Sequence, residues 1–350
     1  MLMTKWGEDL NKNCPLSEYP RPQFKRDSYF NLNGIWQCEF CESEEIPAEF
    51  SYDIVVPFSP EAPLSGVNRT LKSTEYLIYN KNFDLPDGFN KGRVFIHFGA
   101  VDQIAKVYIN GQFVGVHHGG YTPFAFEITE QIKEHNVINV VVRDLTEKNE
   151  YSRGKQKTNR GGIWYSAQSG IWQTVWLEST PVDYIPNVRI TPDFDSQTVK
   201  FETQNHLTVQ KLIYDGDNLI ADTTDDVVKI DNAKEWSPEN PFLYDVIFKY
   251  KDDEVHSYFG IRKFSVGKDG SGMPRLMLNN KPYFMNGLLD QGYYPDGFLT
   301  PPSNEAMEFD VKSVKNLGFN MLRKHIKIEP MLWYHYCDVT GIIVWQDMIN

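Results

Sequence analysis

Five side chains near the end of this sequence carry groups that could hold or act on a polar ligand: Asp290, Arg323, His325, Trp345 and Asp347. Two carboxyl groups brought together can work as general acid and nucleophile, whereas a lone one accepts hydrogen bonds from ligand hydroxyls or enters an ion pair. Asp290 and Asp347 are open to all three uses. The guanidinium fork of Arg323 suits a carboxylate, which it would hold by two bonds, keep ionised and orient. His325 can bind a hydroxyl or cap a loop. Trp345 offers a flat apolar face to a ligand or to the core.

What these five share is their place at the ends of short apolar runs. Tyr283–Leu289 leads to Asp290, Phe319–Leu322 to Arg323 and His325, and Gly341–Trp345, with Trp345 as its last residue, to Asp347. Between the first two runs, Pro301-Pro302-Ser303 marks a helix start. Met307, Val311, Val314 and Leu317 follow at the spacing of one buried helical face, and Gly318 ends it. A second helix is predicted from about Glu329 to Asp338. Strand, helix, strand, helix, strand is the opening of a (β/α)8 barrel, which keeps its chemistry at the C-terminal ends of its strands. Alternation along the second strand turns Lys324 away from the site that Arg323 faces.

The preceding residues read differently. Alternating runs such as Arg93–Phe98, Ala105–Ile109, Val137–Val142 and Gln173–Leu177 are divided by turn residues, the pattern of an antiparallel sandwich of jelly-roll type over 1–180. Asn110-Gly111 between two such runs is a strong hairpin signal, because both central residues of a type I′ turn need positive φ. Pro181 and Pro186 break the rhythm, and a shorter set of strands over 181–272 suits an immunoglobulin-like sandwich. The glycine-rich turn Gly267–Gly272 then leads into a barrel segment over 273–350. Two long polar stretches of the first unit, Glu147–Ser169 and Pro57–Lys72, are candidates for reaching the strand ends.

With 41% hydrophobic residues in 350, the chain can bury several cores. Its formal charge of −12 repels phosphate backbones and anionic lipid, which argues against nucleic acid and membrane as partners and favours a neutral ligand. No run approaches the ~18 apolar residues of a membrane span. The first residues lack the apolar core of a signal peptide, so a native Met1 implies a cytoplasmic protein. Cys14, Cys38, Cys41 and Cys337 are read as plain thiols, since Cys38-x-x-Cys41 has no second pair at zinc spacing.

The order of units and several motifs resemble glycoside hydrolase family 2, the β-galactosidases, β-glucuronidases and β-mannosidases. The resemblance is carried by Phe30–Trp36, Val107–Gly111, Gly119–Phe124, Ser169–Leu177, Phe259–Arg262 and Leu278–Pro282. Its most specific part is Asn320–His325, followed by Trp333, Cys337-Asp338 and Gly341–Asp347. It implies retaining hydrolysis of terminal β-linked sugars, most naturally β-galactosides, with no cofactor beyond a structural cation, a carbohydrate partner and room for a homo-oligomer. It also implies that Arg323 supports the catalytic carboxylates. The family's Asn-Glu acid/base pair and later nucleophilic Glu belong to barrel strands four and seven and are absent from this sequence. They are expected beyond Asn350, so the chain alone is expected to be inactive. Two departures stand out: His325 sits one place earlier than the family's Arg-x-x-His-Tyr-Pro pattern, and Gln173 replaces an Arg. A non-catalytic carbohydrate-binding or scaffolding protein is the alternative.

Overall fold

The structure is a computed structural model that describes residues 2–148 and 150–350. Arg93–Phe98 shows how the first unit assembles: Val94, Ile96 and Phe98 are fully buried, while Arg93, Phe95 and His97 point the other way. This strand lies in a four-stranded sheet with Val175–Thr180 on one side and Phe124–Glu127 on the other, and Phe30–Asn31 at the edge. A six-stranded sheet, in the order Tyr52–Val56, Gly34–Cys41, Tyr76–Phe83, Asn136–Arg143, Ile104–Ile109, Gln112–His118, packs against it. Trp36, Leu77, Tyr79, Val107, Val140 and Leu177 fill the space between. The hairpin signal is realised at Asn110 and Gly111, with φ of 53° and 77°, which join the paired Ile109 and Gln112.

Strands on either side of Pro181 belong to different sheets. The following residues form a three-stranded sheet (Val188–Asp193, Thr198–Thr203, Val227–Lys229) facing a four-stranded one (Asn218–Thr223, Gln210–Asp215, Tyr244–Tyr250, Asp253–Phe259). Phe201, Phe248, Tyr244 and Phe259 meet ring to ring in their shared core, the layout of an immunoglobulin-like sandwich. Arg26 ties the N-terminal segment to this unit through two bonds to Asp253, of 3.0 and 2.8 Å.

The turn at Gly272 does not separate two units. It is the tip of a hairpin in which Phe264–Lys268 pairs with Pro274–Leu278, so the chain leaves the second sandwich before residue 264 rather than at 272. Three parallel strands follow, Gly287–Asp290, Met321–Lys324 and Ile343–Gln346, connected by helices Asn304–Asn316 and Met331–Thr340. The described residues leave this sheet open. Ser303 caps the first helix by accepting from the Ala306 amide, and Gly341 ends the second with φ of 78°.

Two sequence expectations change here. The first parallel strand is shorter than Tyr283–Leu289, because the Asn320 side chain accepts from the Asn286 amide and donates to the Phe284 carbonyl, which replaces ladder pairing there. Leu317 is not on the buried helical face: it is the C-cap residue and stands exposed, whereas Met307 and Val311 are buried.

Candidate strand-end site

Register decides which side chains can meet. Leu289, Arg323 and Trp345 lie abreast on the three parallel strands, and Asp290, Lys324 and Gln346 form the next row. In parallel strands, residues abreast share a face and successive rows alternate. The Leu322 row packs against Met307, Val311 and Trp333 of the two helices, so Lys324 stands on the helix side as well. Arg323, Leu289 and Trp345 therefore share the opposite face, where all three are exposed.

On that face Arg323 grips Asp347 with both arms, Nε to Oδ1 at 2.9 Å and Nη2 to Oδ2 at 3.1 Å. The bond from Arg323 holds the Asp347 carboxyl below the usual carboxylate range, and the same contact holds the guanidinium up. Exposure keeps this pair weak as a source of stability but leaves both groups within reach of a ligand. His325 approaches from the next loop, its Nδ1 3.1 Å from the Tyr165 hydroxyl. Burial, then the Lys155 charge, pushes its pKa down, so it is neutral at pH 7 and its ring can donate from one nitrogen and accept at the other. Trp345 donates from its indole N–H to the Met285 sulfur at 3.0 Å and keeps much of its surface free.

Asp290 does not join this group. Its carboxylate lies on the helix side, 2.7 Å from Lys324 Nζ. Lys324 is completely buried and also bonds Glu329 at 2.7 Å, and Glu329 accepts a second ammonium, that of Lys327, at 2.8 Å. Lys327 reaches the Gly292 and Leu299 carbonyls, both at 2.7 Å. The result is a compensated set of two cations and two anions behind the strand. Burial pulls the Lys324 pKa down, yet Glu329 and Asp290 outweigh it and hold it above the ordinary value; for Lys327 burial wins. Asp290 and Asp347, each in its own ion pair on opposite sides of the sheet, are not a catalytic couple. Of the five strand-end side chains, Arg323, Asp347 and His325 thus come together with Trp345 beside them, and Asp290 does not.

The first sandwich supplies the remaining wall. The Arg153 and Gly154 amides donate to the Asn350 carbonyl, and Tyr165 packs 5.5 Å from Tyr293, the aromatic that follows the first parallel strand. From the other long stretch, the Pro57 carbonyl accepts from Thr300 and the Leu64 amide donates to Asp296. Gln173, where the sequence departs from the family's Arg, donates to the Ile328 carbonyl across the same junction. The Tyr165–Tyr293 pair and the Lys324–Glu329–Lys327 network had no place in the sequence reading. The only hint of the latter was three charged residues crowded after an apolar strand. Among the described residues, no three His, Cys, Asp or Glu side chains gather to hold a metal ion, and no helix is long and apolar enough to cross a membrane.

Comparison with known proteins gives two family matches. Residues 36–181 match the family described as glycosyl hydrolases family 2, sugar binding domain, and residues 183–262 match glycosyl hydrolases family 2. A β-galactosidase of Thermoanaerobacter pseudethanolicus is 26% identical over 349 residues, covering 91% of this chain and 44% of that protein. A β-glucuronidase of Streptococcus agalactiae is 24% identical, covering 94% of this chain and 58% of the relative. The solved β-D-glucuronidase of Dictyoglomus thermophilum superposes with a TM-score of 0.76 at 23% identity, over 94% of this chain and 59% of that one. A Ruminococcus gnavus β-glucuronidase in complex with D-glucaro-d-lactam gives 0.77 at 20%, over 96% and 62%. The chain thus spans between about a quarter and three fifths of the length of the curated relatives it matches.

Proposed function

This chain belongs to glycosyl hydrolase family 2, and from that membership and the strand-end geometry we propose that it forms the substrate-positioning part of a retaining β-glycosidase acting on terminal β-linked sugars. The observation that carries the proposal is the Arg323–Asp347 fork on the exposed face of three parallel strands, with His325 and Trp345 beside it. Retaining hydrolysis needs two carboxyl groups about 5 to 5.5 Å apart. Asp347 is held ionised by Arg323 and Asp290 is engaged behind the sheet, so neither is placed to share that work. In this reading the acid/base and nucleophilic Glu come from further barrel strands following Asn350. Arg323 and Asp347 orient them or the sugar, His325 binds a hydroxyl, and Trp345 packs against the C–H face of the ring. β-Galactosides are the proposed substrates, and the β-glucuronidases among the relatives make β-glucuronides the competing class.

The chain by itself should release no nitrophenol from nitrophenyl β-galactoside, β-glucuronide or β-mannoside. The protein extended through a complete barrel should hydrolyse one of them with retention of configuration. Turnover by the 350-residue chain that is lost in an Asp290→Asn, Asp347→Asn double variant would place the catalytic pair here and overturn the proposal. An extended protein that is inert on all three yet still binds sugars would favour the scaffolding alternative.

A further inference from the structure

The long stretch Glu147–Ser169, which brings Tyr165 to His325, is anchored by carboxyl groups that have no cation beside them. Asp144 follows the strand Asn136–Arg143 and accepts from the Thr146 amide at 2.6 Å, just where the stretch begins. Asp102 accepts from the Gln156 side chain at 2.8 Å, near its middle. Glu61, from the other long stretch, accepts from the Ser169 hydroxyl at 2.7 Å and the Ser169 amide at 3.1 Å, where the loop ends, and from the Leu71 amide at 3.1 Å. Gln156 is fully engaged, donating also to the Tyr121 hydroxyl at 3.1 Å and accepting from the Gln168 amide at 2.7 Å. It lies abreast of Tyr165 in a two-stranded pair, so the bond to Asp102 bears directly on the residue that meets His325.

All the donors to these carboxyls are neutral, and an ionised carboxylate buried without a cation is costly. Asp102 and Asp144 are each only 3% exposed, and a Cβ on Gly120 would collide with the second oxygen of Asp102, which leaves that group no room to turn away. Burial, then the charge of Asp144, drives the Asp102 pKa well above the carboxylate range; burial raises Asp144 as well and pushes Glu61 up to about 8. The titratable groups facing them are one another and the hydroxyls of Tyr79, Tyr121 and Tyr293. Elsewhere along the loop, Glu147 accepts from the Thr158 amide, His118 Nδ1 lies 2.9 Å from the Tyr151 hydroxyl, and the Lys155 charge acts on His325.

We propose that Glu61, Asp102 and Asp144 form a proton-dependent latch, which keeps Tyr165 on His325 while they hold protons and releases the loop when they lose them. They are positioning residues, each acting on the strand ends through the loop. Opening exposes the carboxyls to water, where they give up protons, so the closed loop is disfavoured as pH rises from the ordinary carboxylate range towards about 8. His325 works in the opposite sense: it is neutral beside Lys155 in the closed loop, and its protonation in acid drives the two apart. A loop that loosens with rising pH therefore answers to the carboxyls. The latch rests on contacts within this chain and holds whether or not the strand ends act on glycosides.

The test is hydrogen exchange of the 350-residue chain, read by mass spectrometry at about pH 5.5 and about pH 7.5 and corrected for intrinsic rates. Each proton held on closing changes the opening constant by up to about tenfold per pH unit, so peptides covering Tyr151–Ser169 should lose at least about tenfold in protection between the two. Peptides covering Val137–Val142 should stay unexchanged meanwhile, which marks a loop opening on a folded sandwich. Glu61→Gln combined with Asp144→Asn, which fixes two of the carboxyls in a neutral form, should remove most of the loss, and His118→Gln should leave it in place. Should the double variant prove unstable, tryptic cleavage after Lys155, Lys157 and Arg160 in the unaltered chain, scaled to an unstructured reporter peptide, should quicken over the same range. The proposal is overturned by loop protection or cleavage that does not change with pH, by loop and strand losing protection together, or by a loss that persists in a folded double variant. A loss abolished by His118→Gln also overturns it, and assigns the pH dependence to that imidazole.

Discussion

Replacing Lys324 by Met tests whether the compensated charges behind the second parallel strand position Arg323. Lys324 is fully buried, with Asp290 and Glu329 both 2.7 Å from its ammonium. Met keeps most of the volume and removes the charge. Glu329 retains Lys327 at 2.8 Å, but Asp290 loses its cation, so a balanced buried set becomes one with a net negative charge. Breaking a buried pair from one side costs about 3–5 kcal/mol, and Asp290 is partly solvated, which points to the lower half of that range. At 1.4 kcal/mol per decade, about 3 kcal/mol lowers protection by roughly two decades. Hydrogen exchange read by mass spectrometry on peptides covering Phe319–Glu329 is the suitable assay, because a molecule of several units does not unfold in one step. The double variant Lys324→Met, Asp290→Asn restores neutrality and should regain most of the lost protection. The reasoning is refuted if Lys324→Met costs less than a factor of about five, or if adding Asp290→Asn makes the loss larger.

Three further outcomes follow from the same contacts. Arg323→Ala should leave the thermal stability of this chain close to that of the unaltered chain, since the pair with Asp347 is exposed. In a catalytically complete protein it should lower kcat/KM by roughly a hundredfold, as expected for a lost two-bond partner; normal kinetics would make Arg323 purely structural. The buried Glu61 carboxyl is pushed by burial from 4.5 to about 8, so between those values the folded chain keeps a proton that the unfolded chain has released. Stability should therefore fall as pH rises through that window, by up to about 1.4 kcal/mol per unit; Glu61→Gln, which mimics the protonated form, should flatten the slope, and an unchanged slope counts against it. Gly111 sits at φ of 77° in the hairpin turn, so Gly111→Ala should cost about 1–2 kcal/mol in urea unfolding, and a neutral substitution would mean that the turn relaxes.

Sequence alone determined what depends on neighbours along the chain. Alternation in Arg93–Phe98 assigned its inner and outer faces, Asn110-Gly111 assigned a turn with positive φ, and the spacing of Met307 and Val311 assigned the buried side of a helix. Each rests on a period of two or 3.6 residues, or on the torsional freedom of one residue, and needs no distant partner. The same logic placed Arg323 and Lys324 on opposite sides of their strand. It could not say which of two strand-end acids Arg323 would take. Asp290 is abreast of Lys324 and goes behind the sheet, while Asp347 lies one residue past the last paired row and swings to the front, and strand register sets that difference. Sequence also could not bring Tyr165 to His325, 160 positions later, or close the N-terminal segment and the Ile328–Met331 loop over the outer face of the first unit's four-stranded sheet. Those contacts exist only because the sandwich docks on the parallel sheet, and packing between units leaves no periodic trace in either of them.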